Sequence, residues 1–372
     1  MKIKLNKILY FFLMYMLFVA IIGNKISLLL AYVMILFFIF IIFLFFNLKT
    51  SINKNEFLYV FLLILLFLNF MYEYLEYHYN NLYYIQFYGS QLFFFIFFSF
   101  TIKNINLFFY KYAEKFFQFF TIILFLSIFI DWLLLKNGLV SYQLMYKENL
   151  KSYEGKPLGL FGQSSINSTY IIISYLLYLA FKKEKKFIKD FFLFILVTIS
   201  IILENSGSGY VAYLMLLFLL FSQFPLIRFF LLPIGLIIVI FVIINNFVQK
   251  ISLEYLIYNI NYFSEIFFSF YMNTVNNASD ILFGINGNIN FPIDFGPLFM
   301  IAKVGLLYTL FYFILYVYII IKSPNEYIMN SLLILLLTNI HYPTIFYPIM
   351  NIILAILFLF ILNNRKVIKC VE

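Results

Sequence analysis

The chain has 372 residues, of which 65% are hydrophobic and only 11% charged, with a mean hydropathy of +1.00. No soluble packing covers that much apolar surface, so composition excludes a soluble globular domain and points to an all-α polytopic integral membrane protein, a single transmembrane domain over 1–372. The net charge of +9 is scattered over short segments and forms no continuous basic stripe, which argues against a nucleic-acid partner.

Taken in order, apolar runs place spans at about 8–22, 26–46, 57–72, 85–102, 116–135, 169–181, 191–203, 209–224, 230–247, 296–318, 327–340 and 345–362, about 12 transmembrane helices in all. The runs 169–181, 191–203 and 327–340 fall short of the ~20 residues that cross hydrocarbon. No small-residue cleavage site follows Lys7, so the first span is expected to stay in the mature protein. The 54 Phe and 32 Tyr fill helix interfaces and populate interfacial belts, and identify no ligand by themselves. One cysteine, Cys370, excludes an internal disulfide and a thiolate metal site; two histidines, His78 and His341, leave no histidine-rich centre.

With the N-terminus inside, the inner segments hold 18 of the 25 basic residues, including the cluster Lys182, Lys183, Lys185, Lys186 and Lys189. The outer segments hold Lys25, Lys136, Lys147, Lys151, Lys156 and Lys250, and Lys303 falls inside a span. This asymmetry puts both ends in the cytoplasm. Two outer segments are long, 136–168 and 248–295, and function is expected there. The second opens amphipathic, with Leu253, Leu256, Ile257 and Ile260 on one face of a helix lying on the membrane. No internal repeat is visible.

Four stretches depart from hydrocarbon-like sequence. The first, 156–167, reads Lys-Pro-Leu-Gly-Leu-Phe-Gly-Gln-Ser-Ser-Ile-Asn: Pro157, Gly159 and Gly162 break any helix, and Gln163 and Asn167 add donors and acceptors before an apolar run. It reads either as the lining of a polar cavity at the membrane edge or as a plain loop capped by Asn167 or Ser168. The others are Asn205-Ser-Gly-Ser-Gly209, Ile281-Leu-Phe-Gly284, and Asp294-Phe-Gly296 followed by Gly305 within the next span.

In their order and spacing, from about 155 to 320, these landmarks resemble those of bacterial O-antigen and capsular polysaccharide polymerases and their ligase relatives. The resemblance implies about 12 helices, two large periplasmic loops (136–168 and 248–295) and residence in the bacterial inner membrane. It implies glycosyl transfer at the periplasmic face, joining undecaprenyl-pyrophosphate-linked oligosaccharide repeat units of O-antigen, capsule or exopolysaccharide. Its partners are then those lipid-linked glycans, membrane lipids, a chain-length regulator and a flippase. No cofactor is implied, and no acidic cluster has metal-ligand spacing. Relatives usually carry outer-face arginines, whereas this chain has only Arg228 and Arg365, both inner, and Gly207 stands where the turn would carry Arg or Lys. A lysine (Lys147, Lys151, Lys156, Lys250 or Lys303) must then face the pyrophosphate, as a point charge without the guanidinium fork. The large outer loop has Asp294 and no His, which favours polymerase over ligase.

The resemblance assigns Asp294 as the proton acceptor or the ligand orienting the accepting hydroxyl; the alternative is an acid at a helix dipole. It assigns substrate binding to Lys156, Gly159, Gly162, Gln163, Asn167, Ser206, Ser208, Lys250, Gly284, Lys303 and His341, with Tyr142, Tyr146 and Tyr153 offering faces for sugar rings. Lys303 reads equally as a snorkelling residue and His341 as an ordinary loop histidine. Glu204 and Asp131 end spans and read as solvated boundary residues. Among rivals, a flippase or small-solute transporter would show matching halves, and a surface-glycan acyltransferase a His-based motif; neither is visible.

Overall fold

The computed structural model describes residues 109–139, 156–184, 187–222, 278–284, 295–341 and 348–363, with Tyr10, Met14, Leu65, Ile257, Asn261, Tyr262, Ser264 and Glu265. Among them every regular element is helical: a π-helical turn Phe109–Ala113 runs into α1 (Glu114–Lys136), followed by α2 (Ser164–Phe181), α3 (Phe187–Glu204), α4 (Gly207–Ser222), α5 (Ala278–Phe283), α6 (Gly296–Ile321), α7 (Glu326–His341) and α8 (Pro348–Asn363). Seven of these match predicted spans, and α5 is a short addition within the segment 248–295. Apart from Tyr10, Met14 and Leu65, the spans 8–22, 26–46, 57–72, 85–102 and 230–247 lie outside the described residues, as does the amphipathic stretch apart from Ile257. Among the described residues three helices are long and apolar enough to cross a membrane: Lys111–Lys136, Ser164–Phe181 and Val304–Ile321.

The bundle is built around α2, which packs against α1, α3, α4 and α7. Fifteen of its 18 residues are buried, so protein rather than lipid covers it on all sides. That explains why its apolar run looks short. Its mean hydropathy is 1.3 against 2.2 and 2.3 for the other two candidate spans, because its first turns carry Ser164, Ser165, Asn167, Ser168 and Thr169 and still belong to the helix. The residue before the first turn is Gln163, in an extended conformation, so the helix starts before Asn167 and Ser168, which do not cap it.

α1 and α3 turn a narrow polar-bearing stripe toward α2 and an apolar face outward. On α3 the buried stripe is Leu193, Leu196, Val197, Ser200, Ile201 and Glu204, whereas Phe191, Phe192, Ile195, Ile199 and Ile202 are exposed. On α1 the buried stripe ends in Ile128 and Asp131, with Leu126, Ile130 and Leu133 exposed. Hydrocarbon outside and polar groups inside is the arrangement a lipid-facing helix requires. Aromatic rings fill the remaining interfaces: the Tyr316 hydroxyl donates to the Leu332 carbonyl (2.9 Å), tying α6 to α7, and the Tyr316 ring meets Phe358 of α8 edge-on at 5.6 Å.

α1, α2 and α3 alternate in direction: Asp131, near the end of α1, meets the loop before α2, and Glu114, at the start of α1, meets Lys189 at the start of α3. The ends that gather the α2–α3 connection carry paired charges: Lys182 Nζ to Asp190 Oδ2 (2.6 Å) and Lys189 Nζ to Glu114 Oε1 (3.2 Å). At the other end lie the loop 156–163, the α3–α4 turn, and the meeting of the start of α6 with the finish of α7, where Gly296 sits against the Asn339 carbonyl.

α6 is broken at Gly305, which has φ 78° and ψ 162°. α5 packs against the break: a Cβ on Gly305 would lie 2.2 Å from the Leu282 carbonyl oxygen and 2.7 Å from Phe283 Cα. Both the left-handed φ and the backbone contact demand glycine. Gly305→Ala is therefore expected to lower stability by roughly 1–3 kcal/mol, read as a lower melting temperature of the detergent-solubilised protein. A melting curve that overlays the wild type would show that α5 does not rest on Gly305.

Candidate functional site

The loop 156–163 folds inward over the ends of α1 and α2 because three side chains receive its backbone. Asp131 Oδ2 accepts from the Leu158 N–H (3.1 Å) and the Gly159 N–H (2.8 Å), and Ser127 Oγ accepts from the Leu160 N–H (3.1 Å). Asn167 Oδ1 accepts from the Phe161 N–H (3.0 Å), while its Nδ2 donates to the Leu158 carbonyl (2.6 Å) and the Gln163 carbonyl (2.8 Å). Phe161 then stands edge-on to Tyr170 at 4.7 Å. Asn167 thus serves as an internal clamp for the loop.

Beneath the loop lies a second polar layer, where α2 meets α3 and α4. Glu204, the last residue of α3, is fully buried. Its Oε2 accepts the Ser168 hydroxyl, and its Oε1 has no hydrogen-bond partner. The close packing of α4 on α2 rests on Gly209, where a Cβ would sit 2.6 Å from Ser168 Oγ. Beside it a chain of hydroxyls links Ser165 to Ser206 (3.0 Å) and Ser206 to Ser208 (3.1 Å). Asn205 turns the chain between α3 and α4 with φ 46°, a conformation asparagine tolerates better than most residues. Lys156 Nζ donates to its carbonyl (3.1 Å), and the Tyr210 hydroxyl donates to its Oδ1 (3.1 Å). Lys156 is thereby held over the start of α4. From Gly207 and Ser208 a groove of about 290 Å³, otherwise lined by Val211, Ala212, Met215, Ile334, Leu337 and Thr338, runs between α4 and α7.

The structure therefore brings together Lys156, Gly159, Gly162, Gln163, Asn167, Ser206 and Ser208 at one end of the bundle, with Gly162 and Gln163 half-buried at the rim. Gly284 is elsewhere: it closes α5, its N–H on the Asp280 carbonyl (2.9 Å), against α6. His341 is the last residue of α7 and Lys303 belongs to α6 just before the break. Asp294 and Lys250, with Lys147, Lys151, Tyr142, Tyr146 and Tyr153, lie outside the described residues. Among the described residues no three His, Cys, Asp or Glu side chains come together to hold a metal.

Two residues correct the sequence reading. Asp131 and Glu204, expected at a solvated boundary, are both fully buried. Their positions carried the signal. Glu204 follows Leu193, Val197, Ser200 and Ile201 at helical spacing, and Asp131 follows Leu124 and Ile128, so each lies on the stripe turned inward. Comparison with family models, with curated proteins and with solved structures gives no match for this chain.

Asp131→Ala would leave the Leu158 and Gly159 N–H groups without their acceptor, at about 1–3 kcal/mol for each buried donor. Faster protease cleavage within 156–163 in membranes is expected, with Asp131→Asn closer to wild type because an amide oxygen still accepts. Equal cleavage of all three proteins would mean that Asp131 does not hold the loop.

Proposed function

We propose that the chain is a polysaccharide polymerase, a glycosyltransferase that joins undecaprenyl-pyrophosphate-linked repeat units of O-antigen, capsule or exopolysaccharide. In this reading it is a multi-pass protein of the bacterial inner membrane with about 12 spans, both ends cytoplasmic, and the segments 136–168 and 248–295 periplasmic. One observation carries the reading: the resembling stretches 156–167 and 205–209, separate in sequence, form one polar layer at the same end of an otherwise apolar bundle. The start of α6, next to Asp294 in sequence, joins that end through α7.

The chemistry asks for a cation against the departing pyrophosphate and for a group to receive the accepting hydroxyl's proton. Lys156, held at the mouth of the layer, supplies the charge, and the N-terminus of α4, with Ser206 and Ser208, adds N–H and O–H donors beside it. The apolar groove between α4 and α7 begins at the same serines. Asp294 remains the acid that the resemblance assigns to orienting the accepting sugar.

Deletion of the gene is expected to reduce the surface-glycan gel ladder to single repeats; loss of all surface glycan would indicate a flippase, and an unchanged ladder would end both readings. A charge-assisted bond to phosphate is worth about 1.5–3 kcal/mol, about tenfold or more in rate. Lys156→Ala should accordingly shorten the ladder sharply and Lys156→Arg much less. Reporter fusions at Lys151 and Asn276 should read outside, and at Lys185 inside; the reverse would overturn the topology.

A further inference from the structure

We propose that the groove between α4 and α7 holds the polyprenyl chain of the donor substrate, which enters sideways from the bilayer and sets its pyrophosphate against Lys156. The proposal rests on the glycosyl-transfer reading and deepens it, by assigning which of the two lipid-linked substrates this groove takes.

The groove owes its existence to small side chains. Gly207, Val211 and Met215, and beside them Ser208 and Ala212, recur at four-residue spacing and share one face of α4, while Leu337 and Thr338 lie one turn from Ile334 on α7. Where α4 offers Gly, Ser and Ala, the two helices leave about 290 Å³ between them instead of closing. The floor is hydrocarbon: Ala212 and Ile334 are buried, and the Thr338 hydroxyl donates within its own helix to the Ile334 and Leu335 carbonyls (2.9 and 3.2 Å). Beyond Ser208 the lining therefore suits a hydrocarbon chain and not a hydrated ligand. Val211 and Leu337 are about half exposed, and Phe218 and Ile340 continue that apolar exposure along α4 and α7. The open side of the groove thus faces lipid, and an occupant reaches it from the bilayer.

Only one end of the lining is polar. There the Ser208 hydroxyl is linked to Ser206 (3.1 Å), and the exposed Gly207 stands two residues from Asn205, whose carbonyl holds Lys156 Nζ at 3.1 Å. From Gly207 to Met215 α4 advances eight residues, about 12 Å at 1.5 Å per residue, so the groove runs from a cation at the polar end toward the middle of the bundle. A lysine and hydroxyls at the head of an apolar slot that opens to lipid complement an anionic head group on a long hydrocarbon tail. The donor is singled out by its connectivity. Its transferred sugar is bonded directly to the pyrophosphate, so its tail begins beside the cation that receives the departing charge. The acceptor reacts through a sugar hydroxyl, which its glycan separates from its own pyrophosphate.

Two measurements test this. In the first, the full-length protein carries the photo-cross-linking residue p-benzoylphenylalanine at Leu337, or at Ile202 on the exposed side of the last turn of α3 as a control. It is placed in vesicles of phosphatidylethanolamine and phosphatidylglycerol with a small mole fraction of undecaprenyl pyrophosphate, the part of the donor that stays behind after transfer. Mass spectrometry is expected to find undecaprenyl pyrophosphate attached at Leu337 in excess over Ile202, and Lys156→Ala should lower that adduct about tenfold. Equal adducts at the two positions, phosphatidylglycerol as the sole adduct at Leu337, no adduct there, or an adduct indifferent to Lys156→Ala overturns the proposal. If the Leu337 protein fails to accumulate, the label is moved to Val211. In the second measurement the chromosomal gene carries Ala212→Phe, which fills the groove, or Ala212→Ser, which keeps it open. With protein in the membrane at wild-type amount, Phe is expected to shorten the surface-glycan ladder and Ser to leave it intact. A full ladder from Ala212→Phe, in a background where gene deletion gives single repeats, overturns the groove assignment and leaves the polymerase reading standing. An unchanged ladder on deletion overturns the polymerase reading, and the donor assignment with it. If Ala212→Phe fails to accumulate, the cross-linking decides.

Discussion

A carboxylate accepting two backbone N–H groups holds the described structure together at its polar end. A non-helical segment that enters an apolar bundle brings N–H and C=O groups that no water meets, and each must find a partner or cost free energy. Asp131 takes two of them, Ser127 a third, and Asn167 a fourth together with two carbonyls. The loop 156–163 can therefore lie on the ends of α1 and α2 instead of projecting outward. Lys156 reaches the turn between α3 and α4 only because the residues after it are pinned in this way.

That polar end contrasts with the rest of the bundle. Elsewhere aromatic rings stack along and between helices, as in the Tyr308, Tyr312 and Tyr316 series at spacings of about 6 Å, and association draws on packing rather than expulsion of water. Polar side chains inside are few, and most are matched: Thr121 with Ser174 across α1 and α2, and Thr198 with the Tyr213 hydroxyl across α3 and α4. Against this background Glu204 is conspicuous: among the described residues its Oε1 and the Tyr312 hydroxyl are the buried side-chain atoms without a hydrogen bond.

Among the described residues the helical layout was legible from apolar runs alone, since α1, α3, α4, α6, α7 and α8 each lie within a few residues of their expected bounds. The central helix was the hardest to see in full, because a helix sheathed by protein can carry five hydroxyl or amide side chains in its first turns, and hydropathy registers those as a gap. The stretch 156–167 stood out through its glycines, proline and amide, but its mode of action did not. Which amide clamps a backbone and which meets a ligand depends on where Asp131 arrives, 25 positions earlier in the chain. Glu204 and Asp131 were misplaced because position at the end of a span outweighed the phase of the helix. The phase was the better guide.

The break in α6 bears on the segment 248–295, read from sequence as external. Gly305 stands nine residues beyond the first residue of α6, about 14 Å along a helix rising 1.5 Å per residue. α5, which belongs to that segment, packs at this depth and not at the rim. α5 therefore lies beside the interior of α6 and not against its first turn. α5 thus braces the point in α6 where no continuous helix resists bending.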